Sequence, residues 1–352
     1  MKNLINRIAF VVLLAMISFN CNNKLNIEPA QNIDASQALL TSKDVQGALI
    51  GAYNYLGGGS SGDLYYGGIQ VYGDLLAYTS DFSFFGTYQG LSQINNKVIP
   101  VNNNFVASVW LEGYAAINLT NEVLNSLNVV SPALKDQVEG EAKFIRACVY
   151  FELVKLFAKT YTDGNPARNP GVPIILTPTH SLSDAEAKPS RNSVAEVYTQ
   201  IINDLNDAEA KLATPDNVTY YFATPGAAAA MLSRVYLMQN DYPNALSAAD
   251  RVISSGFYKL TNTYAEEFPY TGRGVRIFNT SEDIFAIQVS EQSGVNNMNT
   301  YYASSDKGGR GDIEADSAFL ATYDPNDQRA RMYLHDDTGD VFQNGDYGVT
   351  YY

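Results

Sequence analysis

Two cysteines, two histidines and one tryptophan in 352 residues exclude several kinds of protein before any pattern is read. A zinc or iron centre built from His and Cys needs three or four such side chains close together. Here Cys21, Cys148, His180 and His335 are scattered along the chain. Positive charge is also scarce, with 23 Lys and Arg against 37 Asp and Glu and a net charge of −14. A surface that acidic repels a phosphate backbone, which argues against nucleic acid as a partner. The apolar run Ile8–Ile17 has about half of the ~20 residues that a membrane-spanning helix needs.

Tyrosine, by contrast, is plentiful. The 25 residues are about twice an average share. A tyrosine joins a flat apolar face to a hydroxyl, so it suits sugar contacts and wet interfaces as well as the packing of a loop-rich surface. At 46% hydrophobic residues the chain has ample material for a large core.

Lys2 and Arg7 precede the run Ile8–Ile17, the pattern of a cleaved export signal over residues 1–20. Ile17-Ser18-Phe19-Asn20-Cys21 resembles a loose bacterial lipobox, in which the cysteine is lipidated and becomes the new N-terminus; Phe19 and Asn20 depart from the strict motif. Lipid chains on Cys21 would anchor the protein without a spanning helix. Residues 21–35 then form a tether, and 36–352 a single α-helical domain. The last residues, DYGVTYY, complete no helix or strand, so the end is read as a truncation.

The strongest pattern is Ser131–Tyr161. Val138, Ala142, Ile145, Val149, Leu153 and Leu156 step by three and four, and Phe144, Cys148 and Phe151 form a second stripe beside them. So apolar a helix belongs inside a bundle, and Cys148 in it reads as a small buried hydrophobe. Ser131 is placed to cap it, with Pro132 in the first turn. Among its polar residues, Glu152 and Lys155 are spaced to pair, whereas Arg146 needs a carboxylate or carbonyls from a neighbouring helix.

Other helices are expected from Ser42, over Ile69–Tyr78, over Asn104–Asn128 with Trp110 in the core, and over Arg191–Leu212 behind a Ser193/Glu196 capping box. Thr224-Pro225 and Tyr242-Pro243 open a further pair, the second stopping at Gly256. The small residues of that pair, from Gly226 to Ala249, resemble a tetratricopeptide unit, although no strict repeat period is visible. Glu282–Ser290 alternates, with Phe285, Ile287 and Val289 on one side, and predicts a strand.

Chemistry leaves few traces. No Asp or Glu falls in a recognisable catalytic motif, and His180 and His335 sit in polar loops with no sign of a triad. Asp324–Asp327 lacks the spacing of a calcium loop and reads as a turn. The glycine-rich stretches at 57–62 and 308–311 lack the Lys-Ser/Thr ending of a P-loop. No catalytic residue, metal or cofactor is called for.

GEAKFIRACVYFELVKLFAKTY resembles the signature helix of the SusD/RagB family of outer-membrane nutrient-binding lipoproteins. The lipobox and LNIEP, GALIGAYNYL, WLEGYAAIN, RNSVAEVYTQIINDLNDAEAKL, the helix pair beginning ATPGAAAAMLSRVYLMQNDYPNALSAADRVISSGFYKL, SEDIFAIQ and DPNDQRAR agree in order. The resemblance implies a mainly α fold: tetratricopeptide-like helix pairs in a right-handed scaffold, with long irregular loops and a few short strands. It implies a surface-exposed, lipid-anchored outer-membrane protein that captures oligosaccharides and works with a SusC-like TonB-dependent transporter, and no enzyme. A peptide-capturing RagB-like protein and a helical-repeat adaptor that binds only protein are the alternatives.

In such proteins loops from two distant parts of the chain meet beside the ligand. The first would supply Tyr72, Asp74, Tyr78, Asp81 and Tyr88 here, and the second Asn296, Asn297, Tyr301 and Tyr302. Asp81 and Tyr301 are the first choices, and each residue of the set is equally a candidate for packing.

Overall fold

The computed structural model describes residues 38–57, 59, 62–77, 81–180, 184, 186–214, 220–267, 279–289, 295–305, 308–324, 326 and 327. The chain divides into two units, Met1–Leu40 and Thr41–Tyr352, and the fold below is that of the second. It begins with α1 (Ser42–Gly57), followed by α2 (Gly68–Leu76), β1 (Phe82–Phe84) and α3 (Gln89–Asn95). The long helices are α4 (Asn104–Asn125), α5 (Pro132–Phe157), α6 (Val194–Lys211), α7 (Pro225–Met238) and α8 (Tyr242–Ser254). Short elements follow: α9 (Tyr264–Glu267), α10 (Asn297–Tyr302), β2 (Ile313–Ala315) and α11 (Ser317–Leu320).

The long helices lie side by side largely in chain order: α1 on α4, α4 on α5, α5 on α6, α6 on α7 and α7 on α8. α5 is the middle of this row, and Phe144, Ile145, Val149, Tyr150, Phe151 and Leu153 on it are buried. Each fully buried side chain of this size contributes roughly 1.5–3 kcal/mol. Gly113 on α4 lets Leu153 approach, and Gly140 on α5 does the same for Leu212 just past α6; a Cβ at Gly140 would lie 2.8 Å from the leucine. In α7 and α8, buried Ala227, Ala228, Ala229, Ala245 and Ala248 keep the pair close, and Ser233 Oγ donates to Ala245 O at 2.9 Å. The result is the tetratricopeptide-like layering that the small residues foretold. Trp110 is half-buried, packed between Tyr114 (4.8 Å between ring centres) and Phe157 (4.9 Å).

Helix ends follow local chemistry, with three corrections. Ser193 Oγ accepts from Glu196 N at 3.2 Å while Glu196 accepts from Ser193 N at 2.7 Å, the expected capping box. Thr224 and Asp241 cap α7 and α8, and Gly256 stops α8 with φ 72°. Ser131, however, makes no side-chain cap to α5; its N–H donates to Ser42 Oγ at 3.3 Å. That helix also ends at Phe157, because Ala158 is extended. Thr41 rather than Ser42 caps α1: its Oγ1 accepts from Asp44 N at 3.3 Å, and the Asp44 carboxylate accepts from Thr41 N at 2.9 Å.

The strand expected over Glu282–Ser290 is not formed within the described residues 282–289. Ala286 N–H donates to Tyr220 O at 2.7 Å, and no ladder joins the segment. Two residues of the alternating set still turn inward, Phe285 edge-on to Phe144 at 5.1 Å and Ile287 against Gly57, whereas Val289 is 46% exposed. Among the described residues the sheet is β1 with β2, antiparallel, pairing Phe82 with Ala315 and Phe84 with Ile313.

An extended segment, residues 171–180, crosses α4 and α5. Asn121 Nδ2 donates to Ile175 O at 2.9 Å, and Tyr150 OH both donates to Ile175 O (2.9 Å) and accepts from Ile175 N (2.7 Å). His180, read from sequence as a plain loop residue, has Nε2 2.9 Å from the Glu122 carboxylate. Asp324 O accepts from Asp327 N at 2.8 Å, the turn expected there.

Candidate ligand-binding site

The described residues of 62–90 and 295–316, more than two hundred positions apart in sequence, form one cluster. Asn297 fastens the first join: its N–H donates to Tyr66 O at 2.9 Å and its side chain to Gly62 O at 3.0 Å. The fit depends on Gly67, whose φ of 107° favours glycine and where a Cβ would lie 2.7 Å from Met298 N. The β1–β2 pair is the second join. Phe85 N–H extends it by donating to Asp312 O at 2.8 Å, and Asp316 N–H by donating to Asp81 O at 2.9 Å.

The cluster has an inner and an outer layer. Inside, Tyr72 is 3% exposed and its hydroxyl donates to buried Asp63. Burial, then the Asp63 charge, pushes the Tyr72 phenol far above its ordinary range, so it stays a donor. Tyr302, 4% exposed, donates to Asp74 Oδ2 at 2.5 Å and meets Phe82 edge-on. Burial raises the Asp74 carboxyl; the Tyr302 bond opposes this and the Asp81 charge adds to it. Tyr301, 7% exposed, is pushed up to about 12, chiefly by burial and then by Tyr88.

The outer layer centres on Tyr88, 43% exposed. Phe105 and Tyr301 brace its ring edge-on at 6.0 and 6.2 Å. Over the ring lies the Arg310 guanidinium, 4.5 Å from the ring centre. Arg310 is aimed by Nε donating to Asp312 at 2.7 Å and Nη2 donating to Thr87 Oγ1 at 3.4 Å. Phe85 is exposed beside them in sequence, and Asp81 is half-buried. An aromatic face with a guanidinium and carboxylates around it can meet both the C–H faces and the hydroxyls of a polar ring.

Of the residues picked from sequence, Tyr88 and Asp81 reach the surface, Tyr72, Tyr301 and Tyr302 face inward, and Asp74 is bonded to Tyr302. Asn297 joins the loops, and Asn296 caps α10 by accepting from Asn299 N at 2.8 Å. Tyr78 and the lipidation candidate Cys21 lie outside the described residues. Arg310 escaped the sequence reading. Its signal was there: a lone arginine set among glycines, of which Gly308 and Gly311 take positive φ, in a chain poor in bases. A crevice of about 90 Å³ lies elsewhere, between α6, α7 and α8, but its charged residues Arg251 and Glu209 bond each other at 2.6 and 2.8 Å. The loop cluster is the better candidate.

The fold is thus a row of tetratricopeptide-like helix pairs accompanied by an aromatic loop cluster. Residues 65–237 match the SusD-like family described as "Starch-binding associating with outer membrane". SusD-like protein P2 of Formosa agariphila is 26% identical over 257 residues, which are 71% of this chain and 46% of that protein. The chain thus spans about half the length of that curated relative. Among solved structures, a SusD superfamily protein of Bacteroides thetaiotaomicron is 27% identical with a TM-score of 0.71, over 86% of this chain and 68% of the other. A putative sugar-binding protein of Bacteroides vulgatus is 25% identical with a TM-score of 0.71, over 87% and 67%. A laminarin-binding SusD-like protein is 25% identical with a TM-score of 0.51, over 64% and 48%. The chain is similar to the SusD-like family over residues 65–237 and to these SusD superfamily proteins in fold. No helix among its described residues is long and apolar enough to cross a membrane.

Proposed function

We propose that this chain is a lipid-anchored protein of the outer-membrane surface that captures oligosaccharides and passes them to a SusC-like TonB-dependent transporter. The observation that carries the reading is the exposed Tyr88 ring, braced from the side and stacked with Arg310, on loops locked together by Asn297 and the β1–β2 pair. A sugar lays its C–H face on such a ring while its hydroxyls reach charged groups at the edge. The family description and the names of the sugar-binding and laminarin-binding neighbours support a glycan as ligand. Capture rather than catalysis fits side chains that the cluster already holds in bonds to one another.

Calorimetric titration of the purified chain with a panel of oligosaccharides tests this. Saturable binding is expected, and Tyr88→Ala should weaken it by roughly tenfold, since one ring–ligand contact is worth about 1–3 kcal/mol, with an unchanged melting temperature. A flat response across the panel, or full binding by a folded Tyr88→Ala variant, would overturn the reading.

A further inference from the structure

The Arg310 guanidinium lies 4.5 Å from the Tyr88 ring centre, at the end of a long and rotamer-rich side chain. Such a chain needs restraint to stay over one ring. Its main chain is fixed first: Arg310 N–H donates to Thr300 O at 2.7 Å and Gly311 N–H to Ala303 O at 2.8 Å, which ties this loop to α10 and the residue after it. The side chain is fixed next, by Nε donating to Asp312 Oδ2 at 2.7 Å, and Asp312 is only 7% exposed. The bond from Nη2 to Thr87 Oγ1, 3.4 Å long, adds little.

The Asp312 carboxylate in turn has room because residue 86 carries no side chain. A Cβ at Gly86 would lie 2.5 Å from Asp312 Cγ and 2.7 Å from Oδ2, the same oxygen that accepts from Arg310. The φ of Gly86 is not positive, so the backbone there does not call for glycine; the space does. Pairing holds the two segments at this separation. Phe85 N–H donates to Asp312 O at 2.8 Å, next to the paired Phe84 and Ile313 of β1 and β2. That bond uses the Asp312 main chain and leaves its carboxylate to Arg310.

We infer that Gly86 and Asp312 are positioning residues for ligand capture: the bare backbone at 86 admits the Asp312 carboxylate, which holds the Arg310 guanidinium over Tyr88 before ligand arrives. The inference rests on the reading of the loops as a glycan site and adds to it the pair that sets the arginine in place. A guanidinium already ordered loses little rotamer freedom on binding, which for one such side chain is worth about two- to tenfold in affinity.

The experiment reads the arginine and the ligand separately. In the full chain with isotopically labelled arginine, the Arg310 Nε–H resonance, assigned by its loss in Arg310→Ala, should be shifted by the Tyr88 ring current and exchange slowly with water. Gly86→Ala and Asp312→Asn disturb the same bond from opposite sides, so the test survives if one of them does not fold. Each should move that resonance towards free arginine and speed its exchange. Each should also weaken binding of starch- or laminarin-derived oligosaccharides by about two- to tenfold. In the Arg310→Ala background the further loss should be much smaller, because the group being positioned is gone. Equal losses in both backgrounds would mean general damage to the loops and would overturn the inference. So would an arginine resonance that neither folded variant moves, or affinity that stays at the parent value once the resonance has moved. If the resonance responds as expected but the parent binds no oligosaccharide, the glycan reading fails, and this inference with it.

Discussion

Arg146 on α5 grips Asp204 on α6 with two parallel bonds, Nε to Oδ2 at 2.8 Å and Nη2 to Oδ1 at 2.7 Å. Both side chains are almost fully buried, at 7% and 4% exposure. A third bond, Nη1 to Asn121 Oδ1 at 2.8 Å, reaches α4, and Asn121 in turn holds Ile175 of the crossing segment. One guanidinium thus joins three helices and a strap. The planar fork matches the carboxylate in a way that a lysine cannot.

Breaking such a pair from one side leaves an uncompensated charge in the core. Arg146→Met and Asp204→Ala should each lower unfolding stability by roughly 3–5 kcal/mol. The double variant should lose less than the sum of the two, because it buries no stranded charge. Denaturant titration of the four proteins measures the coupling. Additive losses would show that the pair acts only through packing.

How far the sequence foretold these features depends on the range of the interaction. The Ser193/Glu196 cap closes within three residues, so spacing alone revealed it. Arg146 on a wholly apolar helix face demanded a partner, but the identity of Asp204, fifty-eight residues on, required the fold. At Glu282–Ser290 the alternation found Phe285 and Ile287 as inward-facing but not the exposed Val289, and it was silent about a neighbouring strand. The candidate site shows the same limit. Tyr72, Tyr301, Tyr302 and Tyr88 look alike in sequence, and what separates them is long-range: Tyr302 finds Asp74 from 228 positions away, while Tyr88 stays open to solvent. Thr41 and Ser42 stand side by side, and only Asp44, three residues past the threonine, distinguishes the true cap.

The α5–α6 seam carries a second charge group with a pH signature. Burial pushes the Glu139 carboxyl up, but bonds from Lys143 at 2.8 Å and Lys211 at 3.1 Å outweigh it and hold the group below the ordinary glutamate range. As pH falls, the unfolded chain therefore takes up this proton first. The contribution of Glu139 to stability is complete above the ordinary range and is lost as pH drops through the lowered folded value. Glu139→Gln should flatten the fall in melting temperature between about pH 5 and pH 3, and cost under ~1 kcal/mol at neutral pH because the group is partly solvated. An acid limb parallel to that of the parent would assign the sensitivity to other carboxylates. Asp74 runs in the opposite sense: its raised value gives a contribution present below the ordinary aspartate range and lost as pH rises through the folded value.

Anchoring is independent of all this. If Cys21 carries lipid, Cys21→Ala should move the protein from the membrane fraction to the soluble one in cells that lack the transporter, the other partner through which the proposal would hold it at the bilayer. Metabolic labelling with a radioactive fatty acid should mark the parent and not the variant. Unchanged membrane association without label would remove the lipobox from the account.

The two layers of the loop cluster should separate in mutagenesis. Tyr301 is an inner residue, packed under Tyr88, so Tyr301→Ala opens a cavity and should cost about 3–5 kcal/mol of stability, as large aromatic deletions in cores do. Tyr72→Phe leaves the buried Asp63 carboxylate without the hydroxyl donated to it, at a cost of about 1–3 kcal/mol. Tyr72 is buried with its hydroxyl on Asp63, so Tyr72→Phe should bind ligand normally once folded. Arg310→Lys should behave in the reverse way: melting unchanged, binding weakened by a few fold, because the ammonium keeps the charge but loses the guanidinium's place over the Tyr88 ring, worth about 0.5–1 kcal/mol at an exposed site. Thermal melts and titrations of the same preparations read both quantities together. Tyr72→Phe losing binding at full stability would move the ligand contact inward, to the tyrosines now assigned to packing.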